Sequence, residues 1–142
     1  MIVVVIPAYK VSTHICNVIQ RIGDGVDLIF VVDDCCPEKS GSLAEEMCND
    51  PRVRVIYHST NQGVGGAVLT GYQAAIEAGA EVIVKIDGDG QMDPGLIRHF
   101  IAPIISGEAD YAKGNRFFNL DEISAMPKAR LFGNAVLSFM TK

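Results

Sequence analysis

Short runs of apolar, β-branched residues alternate along this chain with stretches whose apolar positions recur at helical spacing. Ile2 to Ile6 is such a continuous run, the pattern of a strand covered on both faces. Ile15, Val18, Ile19 and Ile22 then fall at i, i+3, i+4 and i+7, which predicts a helix capped by Ser12 or Thr13. Leu28 to Val32 predicts a second buried strand. Ser42-Leu43-Ala44-Glu45 reads as a capping box opening a short helix with Leu43 and Met47 turned inward. Val53 to Tyr57 predicts a third strand, Gly65 to Ala78 an Ala-rich helix closed by Gly79, and Val82 to Ile86 a fourth strand. Pro94 to Ser106 predicts a helix interrupted by Pro103 and stopped by Gly107. Beyond it, Tyr111 to Lys113 predicts a short strand and Lys128 to Thr141 a last helix, with Leu131, Ala135 and Phe139 on one face.

Strand and helix in regular alternation imply right-handed βαβ units. The expected fold class is α/β, a mainly parallel sheet with helices on both faces. With 142 residues, 49% hydrophobic and 20% charged, the chain has enough apolar surface for one folded domain over 1–142. The net charge of -5 and the lack of a Lys/Arg-rich run argue against nucleic-acid binding. No apolar stretch approaches the ~20 residues of a membrane span, and MIVVVIPAYK lacks the basic n-region of a signal peptide. The sequence therefore predicts a soluble, cytoplasmic chain. Its cysteines (Cys16, Cys35, Cys36 and Cys48) form no CxxC pair and read as reduced thiols.

Candidate chemistry centres on Val82 to Pro94, VIVKIDGDGQMDP. The apolar run ends in Asp87-Gly88-Asp89-Gly90-Gln91, where glycine frees the backbone to bend and aspartate favours local turns. Asp93-Pro94 then reads as a helix start, Asp as N-cap and Pro at the first helical position. The carboxylates thus sit on a loop leaving the carboxyl end of a strand, where open α/β sheets bind ligands. Mg²⁺ and Mn²⁺ take oxygen donors of this kind. An EF-hand is excluded, because its sixth and twelfth positions, counted from Asp87, are Met92 and Arg98. An acidic tight turn with no ligand is the plain alternative.

Other α/β nucleotide binders fit poorly. The turn after the first strand, Pro7-Ala8-Tyr9-Lys10, has no glycine, and the glycines of Asn61-Gln62-Gly63-Val64-Gly65-Gly66 follow the third strand at the wrong spacing for a dinucleotide fingerprint. A P-loop is absent, and the acidic pair Asp33-Asp34 follows the second strand rather than the first, unlike a receiver domain. What remains is acid at the carboxyl ends of two strands. One site would hold ribose or base; the other would hold a metal on a diphosphate.

Five stretches in order, IPAY (Ile6 to Tyr9), VVDDCCPEKSG (Val31 to Gly41), NQGVGGAVLTGYQAA (Asn61 to Ala75), KIDGDGQMDP (Lys85 to Pro94) and KGNRF (Lys113 to Phe117), resemble the GT-A, family 2 glycosyltransferases. The resemblance is to the branch of dolichol-phosphate mannose synthases and polyprenyl-phosphate glycosyltransferases. It implies a metal-dependent inverting transfer of sugar from GDP-mannose or a UDP-sugar to a polyprenyl phosphate, with Mn²⁺ or Mg²⁺ as cofactor. It places Pro7, Ala8, Tyr9, Val32, Asp33 and Asp34 around the nucleoside, and Asp87, Gly88 and Asp89 near ribose and diphosphate. Asp89 and Gln91 would ligate the metal, and Arg116, Arg130 and Asn134 would meet acceptor or sugar phosphate. Catalytic weight falls on Asp87, Asp89 and Arg116. An acceptor that is already an ionised phosphate needs no general base, so His14, His58 and His99 read as structural, in segments away from the acidic loops.

Two departures qualify the resemblance. Lys10 and Val11 stand where the family usually has Asn-Glu, which leaves the base open. The family's domain also runs further, so the chain reads as the nucleotide-binding portion of a longer enzyme or a truncated product. Little transfer by these residues alone, an exposed sheet edge that pairs in a homo-oligomer, and association with the inner membrane face are the corresponding expectations. A catalytically incomplete nucleotide-sugar-binding module is the alternative. A pyrophosphorylase is disfavoured, since PAYKVST is not its Gly-rich, basic loop.

Overall fold

Strands β1 (Ile2–Ala8), β2 (Leu28–Asp33), β3 (Val53–Tyr57) and β4 (Val82–Lys85) form one parallel sheet in the order β3-β2-β1-β4. These elements are seen in a computed structural model that describes residues 1–114. The first strand runs two residues past Ile6, through Pro7. Val5 O accepts from the Ile86 amide, whereas Ala8 O accepts from the Asp34 amide. Alternate residues of β1 thus address opposite neighbours. Pro7, in step with Val5, faces the side where β4 has already ended, so its missing N–H breaks no ladder bond.

The register aligns the carboxyl ends. Ala8 pairs with Asp33, Asp33 pairs with Tyr57, and Val5 pairs with Lys85. All four strands therefore release their chain at one edge of the sheet. Along β1 the side chains alternate, as the period of two requires. Val4, Ile6 and Ala8 belong to one core with Ile15, Val18 and Ile19 of α1 (Ile15–Gln20), Ala44 of α2 (Ser40–Met47), and Ile97 and Ile101 of α4 (Ile97–Ile105). Val3 and Val5 face the other way, against Ala75 and Tyr72 of α3 (Gly63–Glu77). Helices on both faces explain why the β1 run is apolar without interruption.

Several helix ends differ from expectation, and each difference has a tertiary cause. Neither Ser12 nor Thr13 caps α1; the Ser12 hydroxyl donates to Glu38 instead, and Val11 O takes the amides of His14 and Ile15. Helix α2 starts at Ser40, ahead of the Ser42 box, because Asp33 accepts the Gly41 amide at 2.7 Å. Met47 is outward, 66% exposed, correcting its expected inward place. Asp93 caps as expected, accepting from the Gly95 amide at 3.0 Å, but the first turn (Pro94–Leu96) is 3₁₀ before α4 begins. Pro103 lies inside α4 near its end, and Gly107 follows with φ +75°. Tyr111 to Lys113 is irregular chain rather than a strand. The helix expected over Lys128 to Thr141 lies outside the described residues.

Candidate functional site

Where the strands end, the loops enclose an open cleft of about 490 Å³. Its walls come from three places that are remote in sequence. Pro7, Ala8, Tyr9, Lys10 and Val11 follow β1, Asp34 follows β2, and Asp87, Gly88 and Asp89 follow β4. Asn61, just before α3, and Gly63, Val64 and Ala67 at its start close it. Parallel strands in register bring the acidic loops together, as the sequence anticipated for Asp34, Asp87 and Asp89.

The two adjacent aspartates at the end of β2 have separate tasks. Asp33 is 4% exposed and does not line the cleft; Cys36 N donates to its Oδ1 and Gly41 N to its Oδ2, both at 2.7 Å. That carboxylate is taken up in building the turn into α2. Asp34, 2% exposed, points to the cleft side. Its Oδ1 meets His58 Nδ1 at 2.7 Å and accepts the Gln62 amide at 2.8 Å. Burial alone would raise the Asp34 carboxyl; the Gln62 amide, His58 and the Gly63 amide outweigh it and hold the acid below its ordinary value of 3.8. A lowered folded value means stability that is present above that ordinary range and lost as pH falls through the folded value. Asp34→Asn should therefore show a flatter loss of urea stability between pH 5 and pH 3 than the parent, since its amide does not titrate. An unchanged acid limb would count against this.

The β4 loop is tightly built. Lys85 Nζ holds Asp87 Oδ1 at 2.5 Å, and Asp89 Oδ1 accepts the Gln91 amide at 3.0 Å in a turn that needs Gly90 at φ +77°. Gly88 is buried, and a Cβ there would meet Val11 Cγ2 at 3.1 Å and Ile6 Cγ2 at 3.3 Å. Glycine lets this loop lie directly on the β1 side of the cleft. Gln91 is exposed and Val32 is fully buried beside Pro7, its register partner; against expectation, neither lines the cleft. Arg116, Arg130 and Asn134 lie outside the described residues.

Sequence reasoning missed three contributors. His58 was expected away from the acidic loops but touches Asp34, and the His14 ring lies 3.8 Å from where a Gly90 Cβ would sit. Lys10 lines the cleft in the left-handed region, φ 55°, with its Nζ 5.4 Å from the Tyr9 ring centroid. Of the glycines after β3, Gly63 lines the cleft at the α3 terminus. All four cysteines are free. Burial pushes Cys48 up to about 12, so alkylation at neutral pH should label exposed Cys35 well before Cys48; mass mapping of iodoacetamide adducts reads the order.

The parallel sheet of this chain, with acidic loops on its carboxyl edge and helices on both faces, is of the GT-A type. The crystal structure of S. aureus TarS 1–349 in complex with UDP-GlcNAc matches it with a TM-score of 0.60 at 22% identity, over 77% of this chain and 32% of that one. The chain belongs to glycosyl transferase family 2, whose model matches residues 3–142. It is 35% identical, over 99% of its length and 62% of the relative's, to the UDP-N-acetylglucosamine–dolichyl-phosphate N-acetylglucosaminyltransferase of Methanococcus voltae. It is 31% identical to the polyprenol monophosphomannose synthase of Mycolicibacterium smegmatis, over 90% of this chain and 49% of that protein. The undecaprenyl-phosphate mannosyltransferase of Micrococcus luteus is 30% identical, over 81% of this chain and 48% of its own length. The chain thus spans about half to three-fifths of the length of these three relatives. Among the described residues no helix is long and apolar enough to cross a membrane.

Proposed function

We propose that this chain forms the donor site of an inverting glycosyltransferase that moves sugar from a nucleotide diphosphate sugar to a polyprenyl phosphate. One observation carries the reading: Asp34, Asp87 and Asp89, from two separate strand ends, line the same cleft with the α3 terminus. Asp34 would take hydrogen bonds from base or ribose. Asp87, Gly88 and Asp89 would lie along the diphosphate. GDP-mannose and UDP-sugars are the candidate donors, and the relatives' names favour a polyprenyl-type acceptor.

The donor chemistry suits Mn²⁺ or Mg²⁺ only in part. Asp89 and Gln91 offer hard oxygens on one turn, yet among the described residues no group of three or more His, Cys, Asp or Glu side chains is placed to hold a metal ion. A bound ion would therefore depend on the diphosphate to complete its shell, and it would supply Lewis-acid stabilisation of the leaving diphosphate. Asp89 would hold it; Lys85 would keep Asp87 oriented until the donor arrives. The phosphate acceptor, ionised near neutral pH, needs no base from the chain.

Calorimetry with GDP and UDP, each with and without Mn²⁺, tests this directly. Nucleotide is expected to bind more tightly with the metal present, and Asp89→Asn should abolish that difference. A solvent-facing loop substitution should cost the fold no more than about 0.5 kcal/mol. Equal affinity with and without Mn²⁺ would reject the metal role; no binding of either nucleotide would reject the donor site. Incubation with labelled GDP-mannose or UDP-sugar and a short polyprenyl phosphate then reads transfer.

A further inference from the structure

Behind the cleft wall a chain of three side chains starts from Asp34. His58 Nδ1 meets Asp34 Oδ1 at 2.7 Å, and His58 Nε2 meets Thr70 Oγ1 at 2.9 Å. The His58 side chain is 6% exposed and that of Asp34 3%. The histidine backbone is pinned as well, its amide donating to Asp33 O at 2.9 Å. Neither ring nitrogen is left without a partner, and the ring has nowhere to turn.

We propose that His58 is a positioning residue, which fixes the orientation of the Asp34 carboxylate in the cleft and ties it to α3. The hydrogen-bond roles follow from chemistry. Asp34 as a carboxylate accepts only, so Nδ1 carries the proton and donates. In the neutral ring Nε2 then accepts from the Thr70 hydroxyl, which serves as donor or acceptor, so Asp34 selects the tautomer. With the Gln62 amide also on Oδ1, one oxygen of Asp34 is saturated by two donors. Two donors on one oxygen set the carboxylate plane before any ligand arrives. Thr70 stands on the same helix that brings Gly63, Val64 and Ala67 to the cleft, so helix and carboxylate hold each other in register. The arrangement is the one by which a third group orients a working side chain at many sites.

The role rests on the donor reading, since its purpose is a ligand at Asp34. The discriminating pair is His58→Asn and His58→Gln. Asparagine places its side-chain amide N–H close to the Nδ1 position and can still donate to Asp34; glutamine reaches the Nε2 position and meets Thr70 instead. Calorimetry with UDP and GDP in the presence of Mn²⁺, on variants whose melting curves show a folded protein, is expected to give His58→Gln at least tenfold weaker than the parent. His58→Asn is expected to recover affinity to within about threefold of the parent. Equal affinities for the two variants would overturn the positioning role while leaving the donor site standing. A parent that binds neither nucleotide would overturn the donor site, and with it this role. A long-range ¹H–¹⁵N spectrum of the parent reads the tautomer independently of ligand and of any variant's folding. Nδ1–H is expected; Nε2–H would reverse the direction of the hydrogen bonds and overturn the proposal.

Discussion

Replacing Asp34 with alanine is expected to weaken UDP or GDP binding by about 1.5–3 kcal/mol, the worth of hydrogen bonds to a charged group. The size follows from where the carboxylate sits. It is almost wholly buried, it lines the cleft, and donors on Oδ1 fix its orientation before any ligand arrives. A preset acceptor loses no side-chain freedom on binding, so most of its interaction appears as affinity. The same substitution strands the His58 Nδ1–H and the Gln62 amide, and a buried donor without a partner costs about 1–3 kcal/mol. Affinity and melting temperature should therefore fall together. Asp89→Asn should separate them, with the metal effect lost and stability kept. If Asp34→Ala binds both nucleotides as tightly as the parent, the nucleoside pocket lies elsewhere.

Much of this architecture was legible because the inner strands β1 and β2 are buried and announce themselves as apolar runs, while edge strand β3 exposes Arg54 and Tyr57 and shows itself by Val53, Val55 and Ile56. Helix starts were less so. The α2 start is set by the Asp33 carboxylate accepting the Gly41 amide, a partner eight residues upstream, whereas local pattern pointed to Ser42. The acidic pair shows the same limit within the site. Successive residues leaving a strand point to opposite sides, so one of Asp33 and Asp34 had to turn from the cleft. Only the positions of α2 and α3 decide which. His58 carries no motif at all. Its link to Asp34 spans 24 residues and appears only when β2 and β3 lie side by side. The placement of Asp87 and Asp89 in the cleft was the readable part, since a glycine-spaced acidic turn at the carboxyl end of a parallel strand opens on the crevice there.

The cleft's far wall depends on a contact that should show up as the largest loss of stability. Gly71 of α3 lies so close to β1 that an added Cβ would stand 2.2 Å from Val5 Cγ1 and 3.3 Å from Val32 Cγ2. Both valines are fully buried, with no room to turn aside. By helix propensity alone Gly71→Ala should stabilise by about 1 kcal/mol. Packing opposes it, because inserting a methyl into a close-packed core costs about 1–3 kcal/mol, and a contact this short belongs at the upper end or beyond. Packing should win, giving a net loss of about 2 kcal/mol in urea unfolding. Gly65→Ala supplies the control on the same helix, since a Cβ there meets nothing within 4 Å. It should be neutral or slightly stabilising. Relief of α3 from β1 would also shift Gly63, Val64 and Ala67 in the cleft and Thr70 behind it, so Gly71→Ala should weaken nucleotide binding as well as the fold. Adding Val5→Ala to Gly71→Ala makes room for the methyl group, and residues in contact are where additivity fails. The double variant should be more stable than the sum of the two single losses predicts, with nucleotide affinity moving back toward the parent. Strict additivity would mean that α3 does not bear on β1 at this point, and that the close approach of Gly71 to Val5 is not what holds the wall of the cleft.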